Sequence, residues 1–237
     1  AGGVLVPPDG YFDALRVEAK KRGMLLIFDE AQTAFGRLGH WFAATHLQVT
    51  PDIMTVSKTL GGGMPLAAVI TNDEVEDVCH RRGFAFYTSH VSDPLPSAVG
   101  LAVLETIESE HLLQRSRDMG DYLAGGLREL QSRHEEIGDV RGMGLLRGIE
   151  LVRDRETREP HHELGALTTQ RCLELGLSMN IRRRPERGSV WRIAPPLTVT
   201  KADIDLAMTI FDQALVEAKD TLAARSTAGK TLARRIA

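Results

Sequence analysis

Cysteine is scarce in this chain of 237 residues, and the common metal-binding motifs are absent. The two cysteines, Cys79 and Cys172, lie far apart in two stretches with helical character. Such isolated residues predict reduced structural thiols rather than a redox or metal-binding pair. His161 and His162 have no further ligand at a suitable spacing, and neither a Cys-x-x-Cys nor a His-Glu-x-x-His motif occurs. The sequence therefore argues against catalytic zinc.

Long apolar runs and an excess of one charge are lacking as well. No hydrophobic stretch approaches the roughly 20 residues that cross a bilayer, and no signal-peptide pattern opens the chain. The formal net charge of -3 gives no electrostatic reason to expect nucleic acid or an anionic membrane as a partner. The composition, 43% hydrophobic and 26% charged, is that of a globular protein. These features predict a cytoplasmic protein without a nucleic-acid or membrane partner.

The chain does contain an acid and an amine at the ends of two apolar runs. Asp29 follows the run 24–28, and Lys58 follows the run 53–56 and precedes the glycines at 61–63. Because parallel strands end at one edge of a sheet, where ligands bind, we expect the two side chains to meet there. An apolar environment around the lysine stem would lower its pKa and free the amine as a nucleophile. A surface lysine and a strand-end cap remain open alternatives.

Such a pair is what pyridoxal phosphate needs. A lysine holds the aldehyde of this cofactor, and a carboxylate keeps its pyridine nitrogen protonated so that the ring can accept electrons. The surrounding pattern suits this chemistry, because strand-like and helical segments alternate and predict a parallel α/β sheet. The elements predicted in this half are helices over 9–22 and 41–47, strands over 24–28, 53–56 and 66–71, and a helix to 107 that Asp93 caps and Pro94 begins.

From residue 108 the pattern changes to a second, smaller α+β domain. Its glycines, such as Gly142, Gly144 and Gly148, suit close strand packing but do not form a dinucleotide-binding fingerprint. The predicted elements are a long helix over 108–134, a helix over 162–175, strands over 177–182 and 189–193, and a last helix over 202–219.

Several segments resemble the class-III pyridoxal-phosphate-dependent aminotransferases. They are Asp29-Glu30-Ala31-Gln32-Thr33 with Gly36-Arg37, Thr55-Val56-Ser57-Lys58-Thr59-Leu60-Gly61, and Pro65-Leu66-Ala67-Ala68. Within that family, three further segments are similar to the 2,2-dialkylglycine decarboxylases: Phe86 to Pro96, Gly176 to Ile181, and Arg192 to Thr198. The resemblance runs from Gly2 to about Leu215 and implies an α/β protein with the fold of type I pyridoxal-phosphate-dependent transferases.

The resemblance also implies a domain organisation. Residues 1–107 would be the C-terminal part of the large cofactor-binding α/β domain, 108–220 the small α+β C-terminal domain, and 221–237 a basic tail that we expect to be frayed. The start of the chain falls well inside the family's catalytic domain, so we expect an N-terminally truncated chain with only part of a working site. Ala1 also departs from the family, in which a serine is expected before the two glycines.

By the same resemblance, five residues would bind the cofactor. Lys58 would hold the aldehyde as a Schiff base and then transfer protons, while Asp29 would hold the pyridine nitrogen. Gln32 would reach the phenolic oxygen of the ring. Thr88 and Ser89 would bind the cofactor phosphate of a partner subunit, which makes the active site part of a dimer interface. A loop-ordering role for Gln32, and a local turn hydrogen bond for either hydroxyl, remain open.

Two further sites are implied. Arg192 lies in an alternating segment that directs it away from its apolar neighbours, and its guanidinium fork suits a substrate carboxylate. Ser89, Val91 and Asp93 match the family's site for an alkali cation, potassium or sodium, which takes oxygen ligands. An ordinary salt bridge for Arg192 and helix capping by Asp93 would explain these residues without a ligand, so both alternatives remain open.

The resemblance to the decarboxylases predicts a decarboxylation-coupled transamination. A 2,2-dialkylglycine would lose carbon dioxide and leave as a ketone, and pyruvate would then become L-alanine. The substrates would be small amino acids and 2-oxo acids, and the assembly would be a homodimer or a dimer of dimers. Two alternatives remain: a non-decarboxylating class-III transaminase of ω-amino acids or amines, and an inactive truncated subunit.

Overall fold

The computed structural model describes residues 3–179, 181–184 and 188–236, with side chains described except at 182–184, 188 and 226–236. Ala1, whose departure from the family was noted above, lies outside these residues. The described chain forms two compact units, one of residues 7–117 and one of residues 3–6 with 118–236. The boundary between the units lies near residue 117, whereas the predicted domain boundary lies at 107. The assignment of the two units as family domains stays a prediction.

A three-stranded sheet organises the unit of residues 7–117. The strand order is β1-β2-β3, and β1 runs parallel to β2. A compact core of buried Ala19, Leu26, Phe28, Ala44 and Val49 packs beside it. The elements are α1 (Tyr11–Lys21), β1 (Ile27–Asp29), α2 (Ala43–Leu47), β2 (Ile53–Val56), a 3-10 turn (Lys58–Gly61), β3 (Ala68–Thr71), α3 (Asp73–Arg81) and α4 (Pro94–Ser109).

The prediction of a parallel, buried third strand is wrong. β3 runs antiparallel to β2, with Thr55 opposite Val69. A parallel pair needs a crossover of a dozen or more residues, usually through a helix, and the connection 57–67 contains only the 3-10 turn. All four residues of β3 are exposed in this chain, including Val69 at 69% and Ile70 at 47%. The apolar residues of this strand therefore predicted neither its direction nor its exposure correctly.

Asp52 fixes the register at the start of β1 and β2. Its Oδ2 accepts hydrogen bonds from the Leu26 amide at 2.6 Å and from Arg16 Nη1 at 2.7 Å. The hydrogen bond from Arg16, followed by that from Leu26, holds the pKa of the Asp52 carboxyl below its ordinary value, against a small opposing effect of burial. The charged form of Asp52 therefore stabilises the folded state.

We expect Asp52→Asn to lower the free energy of unfolding by about 1.5 kcal/mol near neutral pH, the low end for hydrogen bonds to a charged group. Because the folded-state pKa is depressed, this stabilisation is present above the ordinary pKa and is lost as the pH falls through the folded-state value. Urea unfolding of both proteins at neutral and acidic pH measures the effect. Asp77→Asn, on the exposed face of α3, is the matched control. Equal stability at neutral pH would contradict the expectation.

The second unit is built on a four-stranded antiparallel sheet with the order β4-β5-β7-β6. Its core contains Trp191, whose ring centroid lies 4.9 Å from that of Phe211 and whose Nε1 donates to Thr169 Oγ1 at 2.8 Å. Arg141 donates to the carbonyls of Gly3 and Val4, which attaches residues 3–6 to this unit. The elements are α5 (Leu112–Arg133), which begins before the boundary, β4 (Ile137–Met143), β5 (Leu146–Leu151), α6 (His162–Glu174), β6 (Ile181–Arg184), β7 (Gly188–Ile193) and α7 (Lys201–Ile236).

Two predictions about helices in this part need correction. The long helix predicted over 108–134 is interrupted after Ser109, and His111 there has a φ of +52°, in the left-handed region that a continuous helix does not use. The last helix, predicted over 202–219, continues as helical backbone to Ile236, and the fraying expected of the tail stays a prediction. No helix in the described ranges combines the length and the apolar character that a membrane span requires.

The predicted helical positions of both cysteines are confirmed. Cys79 lies in α3 and Cys172 in α6, and both are free thiols. Burial raises the pKa of the Cys172 thiol to about 12, so this residue stays protonated at neutral pH. Cys172 is therefore a packing residue of α6.

Candidate active site

Asp29 lies at the carboxyl end of β1, where the parallel register places it beside Thr55 of β2. Its Oδ1 accepts hydrogen bonds from the Ala31 amide at 3.1 Å and from Thr55 Oγ1 at 3.2 Å. Within the described residues its Oδ2 has no hydrogen-bond partner, and the side chain is exposed. The carboxylate is thus oriented by two donors on one oxygen, while the other oxygen remains open at the sheet edge.

Lys58 follows the end of β2 at the same edge and begins the 3-10 turn. Its φ is +54°, a left-handed conformation that is uncommon for a residue with a side chain. Such strain persists where the surrounding structure imposes it, and it is concentrated at functional sites. The predicted burial of the lysine stem is wrong for this chain, because Lys58 is exposed. The glycines at 61–63 have no side chains that could cover it.

Helix α4 holds the turn that carries Lys58. A Cβ added at Gly62, whose φ is +54°, would lie 3.0 Å from Val103 Cγ2 and 3.4 Å from Val99 Cγ1, both on α4. On the helix itself, a Cβ added at Gly100 would lie 2.6 Å from Leu66 Cδ2. These distances show that the turn packs directly against α4, with little space for a side chain at position 62 or 100.

Gln32 is half-buried in the turn that follows β1. The residue before this turn, Glu30, is only 1% exposed and accepts hydrogen bonds from the amides of Ala43 and Ala44 at the start of α2. Glu30 was not among the predicted site residues. A glutamate at the end of an apolar run was the available signal, but two of its three donors are main-chain amides of alanines.

Two basic groups near the following loop have lowered pKa values. Burial lowers the pKa of the Arg37 guanidinium. The pKa of His40 is lowered by burial first, and then by the charges of His46 and Arg117. The His40 ring centroid lies 4.7 Å from that of His46, and the two ring planes are tilted by 41°.

The segment with Thr88 and Ser89 precedes α4 and is exposed. Thr88 Oγ1 accepts a hydrogen bond from the His90 amide at 3.3 Å, so the turn interaction left open for these hydroxyls is made by Thr88. Asp93 stands before α4 as predicted, but its side chain accepts no hydrogen bond from the helix. The carboxylate pairs instead with Nδ1 of His90, three residues earlier, at 2.8 Å.

The predicted cation site at Ser89, Val91 and Asp93 stays a prediction. Val91 is 48% exposed, and the Asp93 side chain is 41% exposed. Among the residues that the structure describes, no cluster of three or more His, Cys, Asp or Glu side chains could hold a metal ion. An alkali site of hydroxyl, carbonyl and carboxylate oxygens is a different donor set from such a cluster.

Arg192 belongs to the second unit, in β7. It is half-buried, as is Ile193, whereas its neighbour Trp191 is fully buried, and the substrate-binding role of Arg192 stays a prediction. Arg192 lines a cavity of about 620 Å³ within this unit. The other lining residues include Ser178, Met179, Pro195, Asp203, Met208 and Phe211. The cavity is mostly apolar with few polar groups, which is typical of sites for small organic ligands.

Comparison with known proteins agrees with this architecture. The family model of class-III aminotransferases matches residues 1–215. An uncharacterized aminotransferase of Schizosaccharomyces pombe is 48% identical over 214 residues, 90% of this chain and 48% of that protein. A leucine/methionine racemase of Thermococcus litoralis is 39% identical over 218 residues, 92% of this chain and 48% of that protein. The chain thus spans about half the length of the curated relatives that it matches.

Solved structures give the same result. A transaminase from a directed-evolution study by ancestral reconstruction superimposes with a TM-score of 0.84 at 33% identity, covering 92% of this chain and 49% of that one. A transaminase from the marine bacterium Virgibacillus has a TM-score of 0.84 at 30% identity, covering 93% and 51%. The predicted α/β architecture is therefore confirmed as that of the fold-type I pyridoxal-phosphate-dependent proteins. The chain belongs to the class-III aminotransferase family.

Proposed function

We propose that Lys58 and Asp29 hold pyridoxal phosphate and that the full-length protein is an aminotransferase. The observation that carries this proposal is the parallel register that pairs Asp29 of β1 with Thr55 of β2. Lys58 follows Thr55 by three residues, just beyond the end of β2. An acid on β1 and an amine after β2 therefore emerge at one edge of the sheet, where ligands of α/β proteins bind.

The residues present fit this cofactor. Thr55 and Ala31 occupy Oδ1 of Asp29, so Oδ2 is the oxygen available to a protonated pyridine nitrogen. Lys58 is exposed and therefore accessible to an aldehyde. When bound, pyridoxal phosphate supplies an aldehyde that condenses with primary amines and a ring that withdraws electrons from the bond broken in the substrate.

The predicted site residues would have different roles toward the cofactor. The Lys58 amine would bind the aldehyde and, once displaced by the substrate amine, would carry a proton at Nζ as acid and base. Asp29 would keep the proton on the pyridine nitrogen, and Gln32 would donate to the phenolic oxygen. Thr88 and Ser89 would bind phosphate across the interface of a homodimer.

The finer proposal is that this aminotransferase is decarboxylating. Arg192 would bind a substrate carboxylate with two parallel hydrogen bonds and so decide which bond at the α-carbon stands perpendicular to the ring. A 2,2-dialkylglycine has no α-hydrogen, so carbon dioxide is the group that can leave. An alkali cation at Ser89, Val91 and Asp93 belongs to the same proposal. The sequence similarity of residues 86–96 to the decarboxylases supports it.

Other reactions are supported by particular relatives. Similar structures include an omega transaminase variant at 30% identity, which supports transfer from ω-amines without decarboxylation. Two relatives at 39% identity are a leucine/methionine racemase and an alanine/serine racemase, and these support a proton transfer that inverts the α-carbon.

A product assay separates these three reactions. We expect the full-length protein to release carbon dioxide from carboxyl-labelled 2-aminoisobutyrate and to convert an equal amount of pyruvate to L-alanine. The same preparation is incubated with an ω-amine plus pyruvate, and separately with L-alanine alone. Rapid ω-amine turnover without labelled carbon dioxide would reject decarboxylation and keep the aminotransferase. D-alanine as the dominant product would favour the racemase.

A further inference from the structure

Glu30 is a buried carboxylate for which the proposed chemistry has no use. Its Oε1 accepts a hydrogen bond from the Ala44 amide at 2.8 Å, and its Oε2 accepts from the Ala43 amide at 3.0 Å and from the Thr33 hydroxyl. Within the described residues no Lys, Arg or His forms an ion pair with it. Burying a charge is costly unless its hydrogen bonds are made, so the carboxylate and its three donors must keep their geometry together.

The main chain of Glu30 connects this cluster to the candidate cofactor site. Its amide donates to the Thr55 carbonyl at 2.9 Å, which extends the pairing of β1 with β2 directly after Asp29. Its carbonyl accepts from the amides of Thr33 at 3.2 Å and Ala34 at 3.1 Å, closing the turn that contains Gln32. Glu30 therefore lies between Asp29 and Gln32 in the chain, the two residues that would contact the cofactor ring.

The other end of the cluster is anchored in the core. Ala43 begins α2, and Ala44 is buried with Phe28 of β1 and with Val49. Close-packed interiors do not deform freely. The Glu30 carboxylate thus links a rigid part of this unit to the turn at the sheet edge.

We propose that Glu30 is a positioning residue for the cofactor. Its carboxylate fixes the turn 30–34 against α2, so that Asp29 and Gln32 point at the ring before the cofactor arrives. The inference rests on the proposed function of Asp29 and Gln32. It adds a residue that touches neither cofactor nor substrate but determines how tightly the cofactor is held.

The substitution Glu30→Gln tests the proposal. Both carboxylate oxygens accept from main-chain amides, so in either orientation the new NH₂ group faces an N–H of Ala43 or Ala44. We expect the Kd for pyridoxal phosphate to rise about tenfold or more, because a buried donor is left unsatisfied. We also expect faster hydrogen exchange at the amides of Thr33 and Ala34 in the cofactor-free protein. Glu18→Gln, on the surface of α1, is the matched control and should change neither quantity.

A milder pair of variants covers the case in which Glu30→Gln does not fold. Thr33→Val removes one donor to the carboxylate, and Thr33→Ser keeps it, so only the valine variant should weaken cofactor binding and speed amide exchange. If Glu30→Gln or Thr33→Val lowers the Tm but leaves the cofactor Kd of the folded protein unchanged, Glu30 is merely structural and the proposal is overturned. A wild-type protein that binds no cofactor would overturn this inference and the proposed function together.

Discussion

Replacing Lys58 by alanine is expected to abolish covalent attachment of the cofactor and to lower turnover by about 10²–10⁴-fold, the usual contribution of a positioned acid–base group. Alanine has no amine to bond the aldehyde and none to carry the proton. Both residues have a Cβ, so the backbone at a φ of +54° is similarly strained in the two proteins and the comparison isolates the amine.

Two measurements check this result in the full-length protein. Borohydride reduction followed by mass spectrometry should place the cofactor on the peptide containing Lys58 in the wild type and on no peptide of the Lys58→Ala variant. A small primary amine added to the solution should restore part of the turnover, since it can carry the proton. Lys20→Ala, on the exposed face of α1, serves as the matched control. Reduction that attaches the cofactor to another lysine of the wild type would contradict the assignment of Lys58 as the residue that binds the aldehyde.

The convergence of Asp29 and Lys58 on one sheet edge could be predicted from the sequence because its signals are local. Each residue ends an apolar run, and a parallel register brings such ends together. The direction of β3 was not predictable from its apolar residues, since a connection of residues 57–67 without a helix decides it. Exposure of Lys58 was missed because the apolar run before it says nothing about what covers the strand end.

Glu30 shows a different limit of sequence reasoning. Its partners Ala43 and Ala44 act through main-chain amides, which every residue except proline possesses, so no side-chain pattern reveals them. Asp93 illustrates the converse, because Asp-Pro is a strong helix-start signal and α4 does begin there. Its carboxylate nevertheless pairs with His90 and accepts no hydrogen bond from the helix, an outcome that the Asp-Pro signal does not indicate.

Asp29→Asn is expected to weaken cofactor binding and turnover by about 10- to 100-fold, the equivalent of losing a hydrogen bond to a charged group of about 1.5–3 kcal/mol. The local structure predicts how the amide will orient. Two donors, the Ala31 amide and the Thr55 hydroxyl, hold Oδ1, so the asparagine carbonyl must take that position. Its NH₂ group then replaces Oδ2 and offers the pyridine nitrogen a donor where the protonated ring needs an acceptor.

The measurement is a titration of pyridoxal phosphate into wild-type and variant protein, followed by the absorption spectrum of the bound cofactor at several pH values. A ring nitrogen that has lost its acceptor should deprotonate at lower pH in the Asp29→Asn protein. Thr55→Val removes one of the two donors to Asp29 Oδ1 but keeps the carboxylate charge. We therefore expect it to weaken cofactor binding less than Asp29→Asn does. Asp13→Asn, on the surface of α1, controls for the charge change alone. If Asp29→Asn binds the cofactor as tightly as the wild type and with the same pH dependence, then the carboxylate at the end of β1 does not hold the ring nitrogen.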